Sequence, residues 1–195
     1  ANAARVSFGQ DNSKPLTKRD KGLIKYLIEH KHTSPFEHNS ITFMFEVPMF
    51  VRSQHMRHRT WAYNEISRRY TEIDLKFYEP KAFRTQHESN RQASNLDGLI
   101  DPVITPRFAD TYIKSSDAMA AFHKHSLDLF GQLISKGVCR EQARGVLPQN
   151  LYAKYYGTVN LSNLLKFIDL RTHEGAQWEI QKTAEACLEI ASEIW

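Results

Sequence analysis

The amino-acid sequence predicts an α+β fold, on three observations. Apolar and polar residues alternate from Ile41 to Val47, which is the period-two pattern of a half-buried strand. Leucine and isoleucine recur at helical spacing in several other segments, the first of which follows a capping signal at Thr17. Strands and helices mix without a regular βαβ alternation, which disfavours a parallel α/β sheet.

The elements of the N-terminal half follow from capping residues and prolines. A capping box at 17–20 predicts a helix that runs to about His30. Ser34 and Pro35 predict a second capped helix start, and Pro48 ends the strand. We expect a helix over 49–59, a loop over 60–67 and an extended segment over 75–78.

In the C-terminal half, Thr105 and Pro106 predict the start of a long helix that ends near Ser135, before Gly137. The remaining predictions are a short helix over 140–146, a strand over 153–159, helices over 161–170 and 176–195, and a break over 171–175.

Composition is typical of a soluble globular protein, with 195 residues, 41% hydrophobic and 25% charged. No apolar run approaches the ~20 residues of a membrane span, and we expect a cytoplasmic protein. Cys139 and Cys187 are too far apart in sequence for a metal or redox motif, and we expect unpaired thiols. We also expect trimmed ends, since Ala1 is not an initiator methionine and Trp195 lies within an apparent helix.

Arginines concentrate in one window, residues 52–70. Its five arginines and single acid, Glu65, give a net charge of +4, which equals that of the whole chain. Guanidiniums this dense repel one another unless an anion lies among them, and their planar fork suits phosphate or carboxylate. Polar groups able to contact a ligand are interleaved: Gln54, Asn64, Glu65 and Ser67. We therefore predict that residues 52–70 form either a site for a phosphorylated small molecule or a nucleic-acid-binding patch. We favour both over a solvated basic face that binds no ligand.

Other motifs are weaker. The sequence has no Gly-x-Gly-x-x-Gly and no phosphate-binding glycine loop, so side chains and helix N-termini must hold any phosphate. His55 and His58 lie among cations, and with His123 and His125 they lack further ligands at metal-binding spacing, so we predict no metal. Cys139 precedes an arginine, but we favour a buried structural thiol over a reactive one.

The string RHRTWAYNEISRRY, from Arg57 to Tyr70, resembles the signature of the flavin-dependent thymidylate synthases, RHR-x-x-S-x-N-E-x-S-x-R-Y. That pattern is long and specific. The resemblance extends to further segments, which cover nearly the whole chain in order: ARVS at 4–7, TSPFEH at 33–38, REQAR at 140–144, LP at 147–148, TVN at 158–160, LR at 170–171 and AQWE at 176–179.

The resemblance implies a single domain over 1–195 with a central, mostly antiparallel twisted sheet flanked by helices. It implies a homotetramer whose active sites are built from several subunits. The implied reaction methylates dUMP to dTMP, with 5,10-methylenetetrahydrofolate as carbon donor and NADPH, through FAD, as hydride source. No cysteine nucleophile takes part, and neither nucleic acid nor a membrane is a partner.

Matching positions assign residues to the two ligands. The implied dUMP-binding residues are Gln54, Arg57, Glu65, Ser67, Arg68, Arg69, Arg144 and Arg171. Those that hold FAD or shape its pocket are Ser7, His32, Ser34, Glu37, Arg57, His58, Arg59, Thr60, Glu65, Asn160, Ser162 and Lys166. Our candidate catalytic residue is Arg171, because a guanidinium against the N3–O2 edge of uracil would stabilise its electron-rich form.

The chain departs from the family pattern at three positions. Ala62 replaces the first serine of the signature, so no hydroxyl is required there. Ser162 replaces the usual arginine two residues after Asn160, and Lys166 replaces a usual asparagine or histidine. Our hypothesis is that Lys166 supplies the missing cation to the FAD pyrophosphate.

Two alternatives remain open. A nucleic-acid-binding module could use residues 52–70 as a stacking and phosphate surface, and it would bind long ligands with steep salt dependence. A flavin-binding relative could instead have lost methyl transfer through the changes at Ser162 and Lys166.

Overall fold

The computed structural model describes residues 1–6, 17–107 and 111–194. The helices are α1 (Asn2–Arg5), α2 (Lys18–Glu29), α3 (Met49–His55), α4 (Ser115–Ser135), α5 (Arg140–Ala143), α6 (Leu161–Arg171) and α7 (Trp178–Ile194), with 3-10 turns at Ser34–Phe36 and Arg144–Val146. The strands are β1 (Ile41–Pro48), β2 (Ala62–Glu65), β3 (Phe83–Gln86), β4 (Ser94–Ile100), β5 (Val103–Ile104), β6 (Ile113–Lys114) and β7 (Tyr152–Val159). None of the helices in these ranges is long and apolar enough to span a membrane.

Strand β7 is the centre of a three-stranded antiparallel sheet of order β1-β7-β2. Side chains alternate along these strands, so Phe43 and Phe45 of β1 and Tyr155 of β7 point to the same buried face. Helices α6 and α7 cover that face, and Phe167 and Ile180 are fully buried against it. The predicted α+β class with an antiparallel sheet flanked by helices is confirmed.

Local sequence signals placed several elements correctly. The predicted capping box is present, since the Thr17 side chain accepts from the Asp20 amide and the Asp20 carboxylate accepts from the Thr17 amide. The strand from Ile41, strand β7, the short helix at Arg140 and helices α6 and α7 all lie where the patterns put them. The predicted long helix ends at Ser135, and Gly137 follows with a φ of +86°.

Other predictions were wrong, and tertiary contacts explain most of them. The predicted loop over 60–67 contains β2, because Ala62–Glu65 pairs with β7. The expected capped helix at Ser34 is a single 3-10 turn without a side-chain cap. Helix α3 ends at His55 rather than near Arg59, and the Tyr63 hydroxyl donates to the carbonyl oxygens of His55 and His58.

The segment before α4 also differs from the sequence prediction. Helix α4 begins at Ser115 rather than near Thr105, because Val103–Ile104 and Ile113–Lys114 pair with each other as strands β5 and β6. The Asp101 carboxylate accepts hydrogen bonds from the Ser116 amide and hydroxyl, at 2.9 and 2.7 Å, and so caps the helix. The β3–β4 hairpin was not predicted, and within 75–78 only Phe77 forms a bridge, to Leu151.

Candidate functional site

A cavity of about 470 Å³ opens between α3, the end of β2, the start of β7 and the turn at 144–146. Guanidinium, carboxylate and hydroxyl side chains line it together with apolar ones. The lining residues are Met49, Arg52, Glu65, Ile66, Ser67, Arg68, Glu141, Arg144, Gly145, Leu147, Leu151, Tyr152 and Ala153. Three cations against two acids make the cavity suitable for an anionic ligand with an apolar part.

The three arginines of this cavity differ in what they contact. Arg52 pairs with Glu65, and its Nε donates to the carboxylate at 2.9 Å, so both charges are neutralised locally. Arg68 donates to backbone carbonyls, including those of Asp74 and Tyr152, and burial lowers its pKa. Arg144 is exposed and donates only through Nε, to the Glu141 carbonyl at 3.3 Å, among the residues described. Its terminal nitrogens therefore suit bidentate contact with a phosphate.

A glutamate that sequence reasoning missed borders the same cavity. The Glu141 carboxylate lies 3.3 Å from Arg69, whose guanidinium is about half exposed. This pair puts Arg69 beside the cavity although Arg69 does not line it. An acid between two arginines, in the segment REQAR, was the signal that could have identified Glu141.

A second cluster joins the end of α6 to the segment after α3. Arg171, the last residue of α6, donates from Nε to His58 Nε2 at 3.0 Å. Burial, and then the nearby Arg171 charge, lower the pKa of His58 below its usual value. His58 is therefore a neutral acceptor at neutral pH, and the Phe167 ring meets its ring edge-on at 4.9 Å.

His55 anchors this cluster in the core. Its ring is fully buried, with Phe45, Trp61 and Phe167 within 4.9 Å between centroids, and its Nδ1 lies 2.9 Å from the Tyr155 hydroxyl. Burial and then the charges of His58 and Arg171 lower the pKa of His55 to about 3. His55 is thus a neutral packing residue that fixes the end of α3.

The depressed pKa of His55 predicts a pH-dependent stability. The unfolded chain protonates His55 near pH 6.5 and the folded chain only near pH 3, so stability is lost as pH falls through that interval. From pH 7 to pH 5 we expect a loss of about 2 kcal/mol in the free energy of unfolding. Urea denaturation of the protein and of His55→Gln at both values measures it, and an equal pH dependence in the variant would contradict the assignment.

The residues that the resemblance assigns to FAD lie in three places. Ser34 belongs to the 3-10 turn that packs against α6, and His32 and Glu37 are exposed on either side of it. The Asn160 side chain caps α6 by accepting from the Asn163 amide at 2.9 Å. Arg57, Arg59 and Thr60 are exposed after α3, whereas Ser7 lies outside the described residues.

The two departures on α6 have different environments. Lys166 is exposed. The Ser162 side chain is 5% exposed, and its hydroxyl has no hydrogen-bond partner among the residues described. The start of α6, with the positive end of the helix dipole and this hydroxyl, is a site where an anion would be stabilised.

The structure therefore divides the predicted dUMP residues. Glu65, Ser67, Arg68 and Arg144 line the cavity, Arg69 borders it through Glu141, and Gln54, Arg57 and Arg171 do not line it.

Cys139 is exposed, so our interpretation of it as a buried thiol was wrong; it lies in the loop before α5, whereas Cys187 is buried on α7. Within the described ranges no three His, Cys, Asp or Glu side chains are grouped to hold a metal ion.

The fold and the site define an α+β protein with an arginine-lined cavity at the start of its central strand and a capped helix N-terminus after the end of that strand. The family model described as thymidylate synthase complementing protein matches residues 1–195. The chain belongs to this family.

Individual relatives agree with this membership. The chain is 42% identical over 194 residues to the flavin-dependent thymidylate synthase of Thermus thermophilus, an alignment that covers 98% of the chain and 66% of the relative. It is 40% identical to the enzyme of the same name from Thermosipho africanus, over 93% of the chain and 75% of the relative. The chain thus spans slightly less than two thirds of the length of the Thermus relative.

A crystal structure of a UMP/dUMP methylase, PolB from Streptomyces cacaoi bound with 5-Br dUMP, is similar in fold. The TM-score is 0.79 at 32% sequence identity, over 98% of this chain and 83% of that one.

Proposed function

We propose that this chain is a flavin-dependent thymidylate synthase that converts dUMP to dTMP. The arginine-lined cavity carries the proposal, because it joins a serine hydroxyl and arginine forks to apolar residues in a volume of about 470 Å³. The relatives named flavin-dependent thymidylate synthases and the neighbour bound with 5-Br dUMP support the same substrate. The proposal includes FAD, 5,10-methylenetetrahydrofolate and NADPH.

The cavity would hold the phosphate of dUMP. A nucleotide phosphate carries nearly two negative charges, and each charge-assisted hydrogen bond to it contributes about 1.5–3 kcal/mol. Arg144 offers an open fork, and Ser67 offers a hydroxyl beside it. Arg68 is braced by backbone carbonyls and would add positive charge without moving.

Arg171 would bind and activate the pyrimidine. Its Nε is held by neutral His58, so both terminal nitrogens can donate in parallel to O2 and to the deprotonated N3 of the electron-rich form of uracil. That contact stabilises negative charge on the ring and makes carbon-5 nucleophilic. His58 thus orients the guanidinium without competing for it as a second cation.

No cysteine of the chain suits the nucleophilic route to this product. Cys187 is buried on α7, and burial raises the pKa of its thiol to about 12. Cys139 is exposed, and its thiol lies 3.7 Å from Gln142 Oε1 with no cationic or histidine partner in the described part of the chain. Activation through Arg171 is therefore the better fit.

The start of α6 and the adjacent turn fit the pyrophosphate of FAD. The unpartnered Ser162 hydroxyl, the N-terminus of α6 and the exposed Lys166 of the same helix would provide donors and positive charge. Arg57 and Arg59, exposed after α3, are the further cations that the family resemblance assigns to FAD. FAD would supply the hydride that completes the methyl group.

Lys166 replaces the missing family cation in this proposal. Lys166→Ala should weaken FAD binding about fivefold or more, through loss of a charge-assisted contact. Binding is measured by flavin fluorescence at two salt concentrations. Lys124→Ala, which removes another exposed lysine, from α4, is the matched control. Unchanged FAD affinity in Lys166→Ala would contradict this role.

We further propose a homotetramer with sites shared between subunits. Sharing would bring the Arg171–His58 cluster of one subunit to the cavity of another, since this cluster does not line the cavity of its own chain. Light scattering coupled to size exclusion measures the mass in solution, which should be four times the 22.6 kDa of one chain.

Visible absorption tests the function. Protein incubated with FAD and desalted should retain a two-banded flavin spectrum that bleaches anaerobically with NADPH, and dTMP should form once dUMP and the folate are added. A colourless protein that ignores dUMP but binds long RNA or DNA with steep salt dependence would favour the nucleic-acid module instead.

A further inference from the structure

A continuous series of side-chain hydrogen bonds links the β3–β4 hairpin to α3. Arg84 of β3 donates from Nε to the Ser94 hydroxyl at 2.9 Å and from its terminal nitrogen to Glu179 Oε1 at 2.5 Å. The other carboxylate oxygen of Glu179 accepts from Gln177 Nε2 at 2.9 Å. Gln177 Oε1 in turn accepts from Gln54 Nε2. Gln54, on α3, is one of the positions that the family resemblance assigns to dUMP.

Hydrogen-bond donors surround the Glu179 carboxylate and keep it ionised. Its side chain is 9% exposed and receives hydrogen bonds from Arg84, Gln177 and the Tyr78 hydroxyl. Burial acts to raise the pKa of Glu179, but the hydrogen bonds from Arg84 and Gln177 outweigh it, and the pKa lies below its usual value. The Arg84 guanidinium also lies over the Trp178 ring, 5.1 Å from the centroid, which fixes its position.

The ionised carboxylate sets the direction of the whole series. A carboxylate only accepts, so Gln177 must turn its NH₂ group toward Glu179 and its carbonyl oxygen toward Gln54. Gln54 must then turn its own NH₂ group toward Gln177. Gln54 is partly exposed, and its one side-chain hydrogen bond in the described part of the chain runs through Nε2, so its Oε1 is left as an acceptor for a ligand.

We infer that Glu179, held by Arg84, is a positioning residue that makes Gln54 present a carbonyl oxygen to the substrate. The ligand group that this oxygen accepts from is a hydroxyl of the nucleotide's sugar, because Arg171 is placed against the N3–O2 edge of the base. The inference rests on the proposed function, since it concerns how the nucleotide is recognised. It assigns a role to Arg84, Gln177 and Glu179, none of which reaches the arginine-lined cavity.

A double-mutant cycle on the FAD-loaded protein tests this role. Glu179→Gln supplies an amide that can donate as well as accept, so Gln177 and Gln54 are free to reverse. We expect dUMP affinity, measured by calorimetric titration, to fall about fivefold, the effect of one hydrogen bond. In a Gln54→Ala background the same substitution should change affinity by less than about twofold, because Glu179 acts through Gln54.

Two further variants keep the outcome clear. Glu185→Gln makes the same chemical change at an exposed position of α7 and should leave dUMP affinity unchanged. Gln177→Ala breaks the series one step nearer to Gln54, and it repeats the cycle if Glu179→Gln folds poorly. Equal losses of affinity with and without Gln54 would overturn the inference while leaving the proposed function intact. A wild-type protein that binds FAD but not dUMP would overturn the proposed function itself.

Discussion

Arg171→Ala should abolish dTMP formation while leaving FAD bound. The guanidinium is the group that we place against the N3–O2 edge of uracil, and removing one such preorganised donor typically costs about 10²–10³ in kcat. His58 holds it by a single hydrogen bond at Nε, so the substitution removes the donor without disturbing the core. The measurements are dTMP production under single-turnover conditions and the retained flavin absorbance.

Two variants make this prediction specific. Arg171→Lys keeps the charge but loses the parallel pair of donors, so it should remain at least about tenfold impaired. Arg19→Ala removes an exposed arginine from α2 and should behave as wild type. If Arg171→Ala still formed dTMP at the wild-type rate, another group would have to activate the base.

Phe167→Ala should be the most destabilising single truncation beneath the site. Phe167 is fully buried on α6 and contacts the rings of His55, His58 and Trp61. Truncating a buried phenylalanine costs about 3–5 kcal/mol of unfolding free energy, through lost transfer energy and a residual cavity. Guanidinium denaturation measures the shift in midpoint.

The loss should extend to function in the molecules that remain folded, because the His58 ring that orients Arg171 rests edge-on against Phe167. Leu165→Ala, on the exposed side of the same helix, should cost less than about 1 kcal/mol. Comparable midpoints for the two variants would contradict the packing described here.

Elements with strong local signals were predictable from the sequence, and elements that depend on distant partners were not. The capping box of α2 and the alternation of β1 are encoded within a few residues. Strand β2 has only four residues and no clear alternation, and it exists because β7, about ninety residues later, pairs with it. The β3–β4 hairpin contains a register shift and few apolar residues, so its sequence lacks the apolar–polar alternation from which a strand is predicted.

The same distinction holds for the candidate site. The string from Arg57 to Tyr70 identified the kinds of residue in the site and the family, but it did not show which side chains lie together in the folded chain. Arg171 and His58 lie 113 residues apart in sequence, and Gln54 and Gln177 lie 123 apart. No local pattern connects such pairs, so their contacts, and the role of Glu179, required the folded chain.

The central position of β7 has a consequence for how this sequence can change. The cavity is bordered by the start of the strand, at Tyr152 and Ala153, and the Asn160 cap of α6 follows its end. Inserting or deleting one residue in β7 would turn Tyr155 and its neighbours to the opposite face of the sheet and shift the two ends relative to each other. The eight residues of β7 therefore set a fixed distance between the cavity and the start of α6. Insertions and deletions should be confined to the loops around this strand.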